Sequence, residues 1–102
     1  MGLDEWLLVV DVVAAPQTED EWNRWYDEVH VPEILECPGF LEGARYVSDG
    51  SEDRRYLTIY KISGPDALDS REFAQKRGWR QFAPHVTWTS RIYHKRTGSQ
   101  ST

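Results

Sequence analysis

The chain has 102 residues, 39% hydrophobic and 28% charged, and a formal net charge of −5. Those values exclude a disordered segment and a strongly basic nucleic-acid binder, and a lone cysteine, Cys37, excludes an intrachain disulfide or a CxxC metal site. No apolar run reaches the roughly 20 residues of a membrane-spanning helix, since Asp11 breaks the longest, "WLLVVDVVAA". The expectation is therefore one domain over residues 1–96 with a small polar tail, "TGSQST", at 97–102. The start, "MGLDEW", lacks the basic and apolar segments of a signal peptide, so a cytoplasmic location is expected.

"EWLLVVDVVA" (5–14) is β-branched and short, which predicts a strand apolar on both faces: Trp6, Leu8, Val10 and Val12 on one, Leu7, Val9, Asp11 and Val13 on the other. Asp11 is costly to bury unpaired, and Lys61 is its expected partner. After "PQTED", Thr18 and Glu21 have the spacing of a capping box, and Glu19, Asp20 and Glu21 suit a helix N-terminus. The helix is expected over 19–30, extending to 36 with a bend at Pro32. "CPGF" (37–40) is a turn, "FLEGARYVS" (40–48) a second strand and "DGSED" (49–53) a polar hairpin loop. "RRYLTIYKI" (54–62) reads as a third strand, with Tyr56, Thr58, Tyr60 and Ile62 opposite in face to Leu57, Ile59 and Lys61. A second helix is expected to start near Pro65 and to end with Gly78 at its C′ position. "WRQFAPH" (79–85) is a short irregular or helical piece, and "VTWTSRIYHK" (86–95) the last strand.

The order β-α-β-β-α-β is the split βαβ pattern of the ferredoxin-like α+β class: a four-stranded antiparallel sheet with two helices on one face. Two apolar strand faces need two covers, and the helices supply one. A second copy of the chain, packed on the open sheet face as a homodimer, is the expected second cover.

Chemistry concentrates in "WNRWYDEVHVPEIL" (22–35). At about 100° per residue, Trp22, Trp25, Tyr26 and Val29 form one stripe, with His30 about 80° from Trp22 at its margin and on the last turn. Such a stripe packs against a sheet or lines a cavity. A histidine on a last helical turn is favoured as a cation by the dipole while burial disfavours the charge, which predicts a group poised near neutrality; it is either an acid/base or only a dipole partner. Arg45 either anchors a carboxylate or enolate oxygen or pairs with an acidic residue. His85 is a second proton carrier or a solvated loop residue. Tyr60 and Trp88 are pocket or core residues. Cys37 has no activating base nearby, and His30, His85 and Glu33 match no metal-ligand spacing, so no metal and no nucleotide cofactor is expected.

"WYDEVHVPE…PGF…ARY", the "RYLTIYKI" strand and a tryptophan-bearing fourth strand together resemble the EthD-like branch of the dimeric α+β barrel superfamily, over residues 6–95. The resemblance implies ferredoxin-like subunits dimerising through their sheets, with a pocket between sheet and helices and His30 at the family's "HxPE"-like segment. Its members include polyketide cyclases, muconolactone isomerase-like enzymes and oxygenases that need no metal. The expected function is thus a cofactor-independent isomerase, cyclase or dehydratase-type lyase acting on a small apolar cyclic or aromatic carbonyl compound. His30, His85 and Arg45 are its expected catalytic residues, and Trp22, Trp25, Tyr26, Tyr60 and Trp88 its substrate-binding residues. The alternatives are a haem-binding monooxygenase of the same superfamily and a non-catalytic small-molecule-binding dimer.

Overall fold

A computed structural model of the chain describes residues 5–48 and 54–96. The expected hairpin loop at 49–53 and the tail at 97–102 lie outside the described residues. Four strands, β1 (Trp6–Ala14), β2 (Phe40–Ser48), β3 (Arg55–Ile62) and β4 (Val86–His94), form one antiparallel sheet in the order β2-β3-β1-β4. With helices after β1 and β3, this is the ferredoxin-like α+β fold. None of the described helices is long and apolar enough to cross a membrane.

The period-2 reading sorts the faces correctly. Leu8, Val10, Val12 and Ala14 of β1 and Tyr56, Thr58, Tyr60 and Ile62 of β3 are buried under the helices. On the other face Leu7, Val9, Val13, Leu57 and Ile59 are only half-buried, while Tyr46 and Tyr93 are half-exposed at its flanks. Asp11 shares this open face. The register sets Asp11 opposite Leu57 and Lys61 opposite Leu7, four residues away along β1, so the expected Asp11–Lys61 pair gives way to an Asp11–Arg55 salt bridge of 3.1 Å.

The first helical run differs from expectation in three ways. Pro16–Thr18 forms a 3-10 turn that leads straight into α1 (Glu19–Trp25). Thr18 is therefore already near-helical, and its hydroxyl donates back to the Ala15 carbonyl at 3.1 Å, so the capping box does not form. Next, the helix does not end at His30. It passes through a π-helical turn, Tyr26–His30, into α2 (Val31–Leu35). Pro32 has no N–H to donate and its ring crowds the carbonyl four residues back; the wide turn just before it absorbs that disruption. Finally, each residue in a π turn advances by less than 100°, so the stripe rotates. His30 moves inward to 5% exposure and Val29 outward to 38%, reversing their expected order of burial.

The second helical region also starts late. Pro65–Asp69 is 3-10, and α3 (Arg71–Lys76) begins where the Ser70 hydroxyl accepts a hydrogen bond from the Phe73 N–H at 3.0 Å. Gly78 does occupy the position after the C-cap, with φ +104. A further 3-10 turn, Arg80–His85, returns the chain to β4. In the "CPGF" turn, Gly39 has φ +86, and a Cβ there would stand 2.8 Å from that of Ala67.

Candidate functional site

Between the helix-facing side of the sheet and the helical run lies a mostly apolar cavity of about 330 Å³. Leu8 and Val10 of β1 and Tyr60 of β3 form its floor, Tyr26, His30 and Ile34 one wall, and Phe73, Trp79 and Trp88 much of the rest. Of the expected site residues, Tyr26, His30, Tyr60 and Trp88 line it, and Trp22, Trp25, Arg45 and His85 do not.

His30 is held by aromatic rings. Trp25 stacks on it at 4.7 Å between centroids and 15° between planes, Tyr26 meets it edge-on at 5.2 Å, and Trp79 lies at 5.6 Å. Its Nδ1 is buried and has no hydrogen-bond partner. Burial pushes its pKa down to about 4; Arg80 and Arg45 act in the same direction and Glu33 opposes them. The expected poise near neutrality is therefore not found. It relied on a helix C-terminus at His30, and the helix runs on to Leu35, so burial decides and the imidazole is neutral at pH 7.

Tyr60 has 2% exposure, and its hydroxyl is buried without a partner. Burial raises the pKa of this hydroxyl far above the ordinary phenol range, and neighbouring Tyr26 adds to the effect. Gly43 stands opposite Tyr60 in the β2–β3 ladder, and a Cβ there would come 2.9 Å from the tyrosine ring. The missing side chain is what lets the ring lie against β2. The Tyr26 hydroxyl accepts a 2.7 Å hydrogen bond from Thr58; its pKa is raised by burial, against the pull of that bond and of Arg45.

Behind this wall the remaining expected residues do structural work. Trp22, 0% exposed, packs edge-on against Tyr26 and Tyr56 at 5.3 and 5.1 Å. Trp25 backs His30 and touches Phe82 at 5.3 Å. Arg45 takes the acid-pairing alternative: it donates to Asp27 at 2.7 Å and to Asn23 at 2.8 Å, and its guanidinium lies 4.1 Å from the Tyr26 ring centroid. The backbone carbonyl of His85 accepts from the Ala15 N–H at 2.8 Å at the head of β4, off the cavity. Glu33 is engaged by Arg80 at 2.7 Å and by Lys76 at 3.9 Å. Cys37 is buried, its thiol pKa raised chiefly by burial. Among the described residues no three His, Cys, Asp or Glu side chains gather to hold a metal ion.

Trp79 and Arg77 are among the lining residues that were not anticipated. Trp79 packs edge-on against Trp88 at 5.8 Å, and Arg77 stands on the cavity wall beside Gly78. The "RGWR" run holds the only signal: a glycine that frees the backbone just before a large aromatic. Gly78 (φ +104) and Arg80 (φ +52) flank Trp79 and turn its ring inward, the second at a strained position for a non-glycine residue.

No protein-family model and no curated protein sequence matches the chain. Solved structures do. The crystal structure of HapK from Hahella chejuensis superposes with a TM-score of 0.68 at 10% identity, covering 95% of this chain and 98% of that one. The cofactor-independent oxygenase SnoaB from Streptomyces nogalater gives 0.62 at 17% identity, over 92% and 95%. An ethyl tert-butyl ether D (EthD) family protein from Bacillus halodurans gives 0.63 at 14% identity, over 89% and 99%. At such identities the likeness is one of fold. The fold is the ferredoxin-like one of these structures, an EthD family protein among them, as the resemblance implied.

Proposed function

We propose that the chain is an enzyme that moves a proton on a small, largely apolar cyclic or aromatic carbonyl compound, without a bound cofactor, with His30 as the base. The observation that carries this reading is the pairing of two buried, unpartnered polar groups, His30 and Tyr60, on the wall of one apolar cavity. A cavity of this size and lining suits a small molecule. Neutral His30 accepts a proton from a carbon next to the carbonyl or from a phenol. The imidazolium and the enolate or phenolate form together as an ion pair, each favouring the other's charge in a dry site. The Tyr60 hydroxyl, kept protonated by its high pKa, donates to the developing oxyanion. Trp79 and Trp88 shape the cavity and exclude water. Arg45 acts from behind Tyr26 and does not touch substrate; His85 has no part in the step.

Likeness to a cofactor-independent oxygenase favours a second reading with the same first step, in which the anion reacts with O2 rather than taking its proton back. Haem fits poorly. His30 is stacked on one face and hemmed at its edges by three aromatic rings, which leaves space for a small ring rather than a flat slot for a macrocycle. The active form in this reading is a homodimer, in which a second copy covers the apolar open face of the sheet.

Proton transfer can be read without knowing the natural substrate. Incubating the protein in D2O with cyclic and aryl ketones such as 2-tetralone, and following loss of the α-proton signal by NMR, should show exchange above the solvent rate. His30→Gln should lower that rate by about 10²–10⁴-fold. Solvent-rate exchange across the panel, or an unaffected variant, sinks the role of His30. Oxygen uptake with a hydroquinone panel decides between the two readings. Native mass spectrometry tests the dimer, and a clean monomer at micromolar concentration removes it.

A further inference from the structure

The cavity is not evenly apolar. Among the described residues Arg77 is the one cationic side chain on its wall, and no carboxylate joins it there. Several other arginines are engaged with acids: Arg45 with Asp27, Arg54 with Glu19, Arg55 with Asp11, Arg80 with Glu33. The Arg77 guanidinium instead lies over the Phe73 ring, 5.6 Å from its centroid, and Phe73 is itself a wall residue fixed by stacking on Phe40 at 5.0 Å. A cation–π contact of this kind holds the exposed guanidinium at the rim of the cavity. Beside it on the lining, Gly78 has φ +104, a left-handed backbone that favours glycine. Ser90 on β4 also lines the cavity. The result is an amphipathic slot: His30 and Tyr60 among apolar walls, with one unneutralised guanidinium on the wall by the entrance.

We infer that the substrate carries a carboxylate, which Arg77 holds at the mouth while the ring enters toward His30 and Tyr60. This rests on the reading of the cavity as a small-molecule site and names the substrate class: cyclic or aromatic oxo- or hydroxy-acids. A single guanidinium matches a single negative charge, and its planar fork suits a carboxylate bidentately. The net charge of −5 also weighs against a more highly charged anion such as a phosphate monoester. Anchoring one end fixes the depth to which the ring enters, and so sets which carbon or hydroxyl meets His30.

Isothermal calorimetry with the full chain tests this, using 2-naphthoate, 2-naphthamide and 2-naphthyl phosphate as probes. The expected result is naphthoate binding about tenfold more tightly than the amide, the size of one charge-assisted contact in a half-open mouth. Arg77→Gln should erase that preference and Arg77→Lys should keep part of it. Arg77 is exposed, so both variants should fold, which circular dichroism verifies. Equal binding of acid and amide, or a preference that survives Arg77→Gln, overturns the anchor and leaves the cavity reading standing. Tighter binding of the phosphate overturns the carboxylate assignment. Failure of every probe to bind overturns the cavity reading and the anchor with it.

Discussion

The two halves of the long helical run differ in the hydrogen bonds that surround them. In the first half, Asn23 and Asp27 accept both terminal nitrogens of Arg45, Asn23 also donates to Tyr56 at 2.9 Å, and the Tyr56 hydroxyl donates to Glu19, which Arg54 also engages. In the second half, His30 and the facing Tyr60 of β3 line the cavity, and the Nδ1 of one and the hydroxyl of the other are buried without a partner, as are Trp22 Nε1 and Arg45 Nε beside the first half. Both regions are aromatic and both are packed on the same strands. A linked network of hydrogen bonds fixes the helix on the sheet, whereas a buried polar group left open costs stability unless something else meets it. The contrast sets a hydrogen-bonded anchor against the residues that line the cavity.

The comparison can be broken at several points. The largest effect on stability is expected from Trp22→Ala, which should cost about 3–5 kcal/mol in urea unfolding, because a fully buried ring leaves a cavity its neighbours cannot fill. A loss below about 1 kcal/mol would mean that the stripe is not the anchor its packing implies.

Next comes acid. His30 has a pKa lowered from its ordinary 6.5 to about 4, so between those values the unfolded chain binds a proton that the folded chain refuses. Stability should therefore fall as pH drops through 6.5 and level off below about 4, a total of about 3 kcal/mol from this residue. Carboxylates titrate toward the lower end of this window, so the measurement is the difference between wild type and His30→Gln. Parallel curves would show that His30 titrates normally.

The smallest effects draw the sharpest line. Arg45→Met should lower stability by about 1–2 kcal/mol, most of it from lost hydrogen bonds and ring contact, since Asp27 is largely exposed and the ion pair itself contributes little. Its effect on ligand affinity should be slight. Tyr60→Phe should do the reverse: stability within about 0.5 kcal/mol of wild type, because the lost hydroxyl had no partner, and ligand binding or exchange weaker by about tenfold. If the two variants behave alike, the division between the halves fails.

The alternation of β1 and β3 was legible because each residue's face depends only on its own neighbours along the strand. The partner of Asp11 was not, since it depends on how two distant segments slide past each other, and the ladder chose Arg55 over Lys61. His30 was legible as a residue of interest, but its environment was not, because the angular reading assumed a uniform helix that ended there. Thr18 shows the same failure on a smaller scale: the capping spacing is present, yet a 3-10 turn starting at Pro16 removes the geometry it needs. Trp79 and Arg77 escaped notice because two positive-φ residues, Gly78 and Arg80, decide where that short segment points.

The π turn at Tyr26–His30 has a consequence for how such a site could arise or vanish. A π turn amounts to one residue more than a regular helix requires, and a regular helix advances by about 100° per residue. Removing a single codon from this stretch would restore ordinary winding and leave α2 facing as it does, because the wide turn is what absorbs the extra residue. Only the side chains within the turn, His30 among them, would shift relative to the cavity, while α2, the sheet and the core stayed as they are. Which side chain stands on this stretch of the cavity wall thus depends on the number of residues in the turn as well as on their identity.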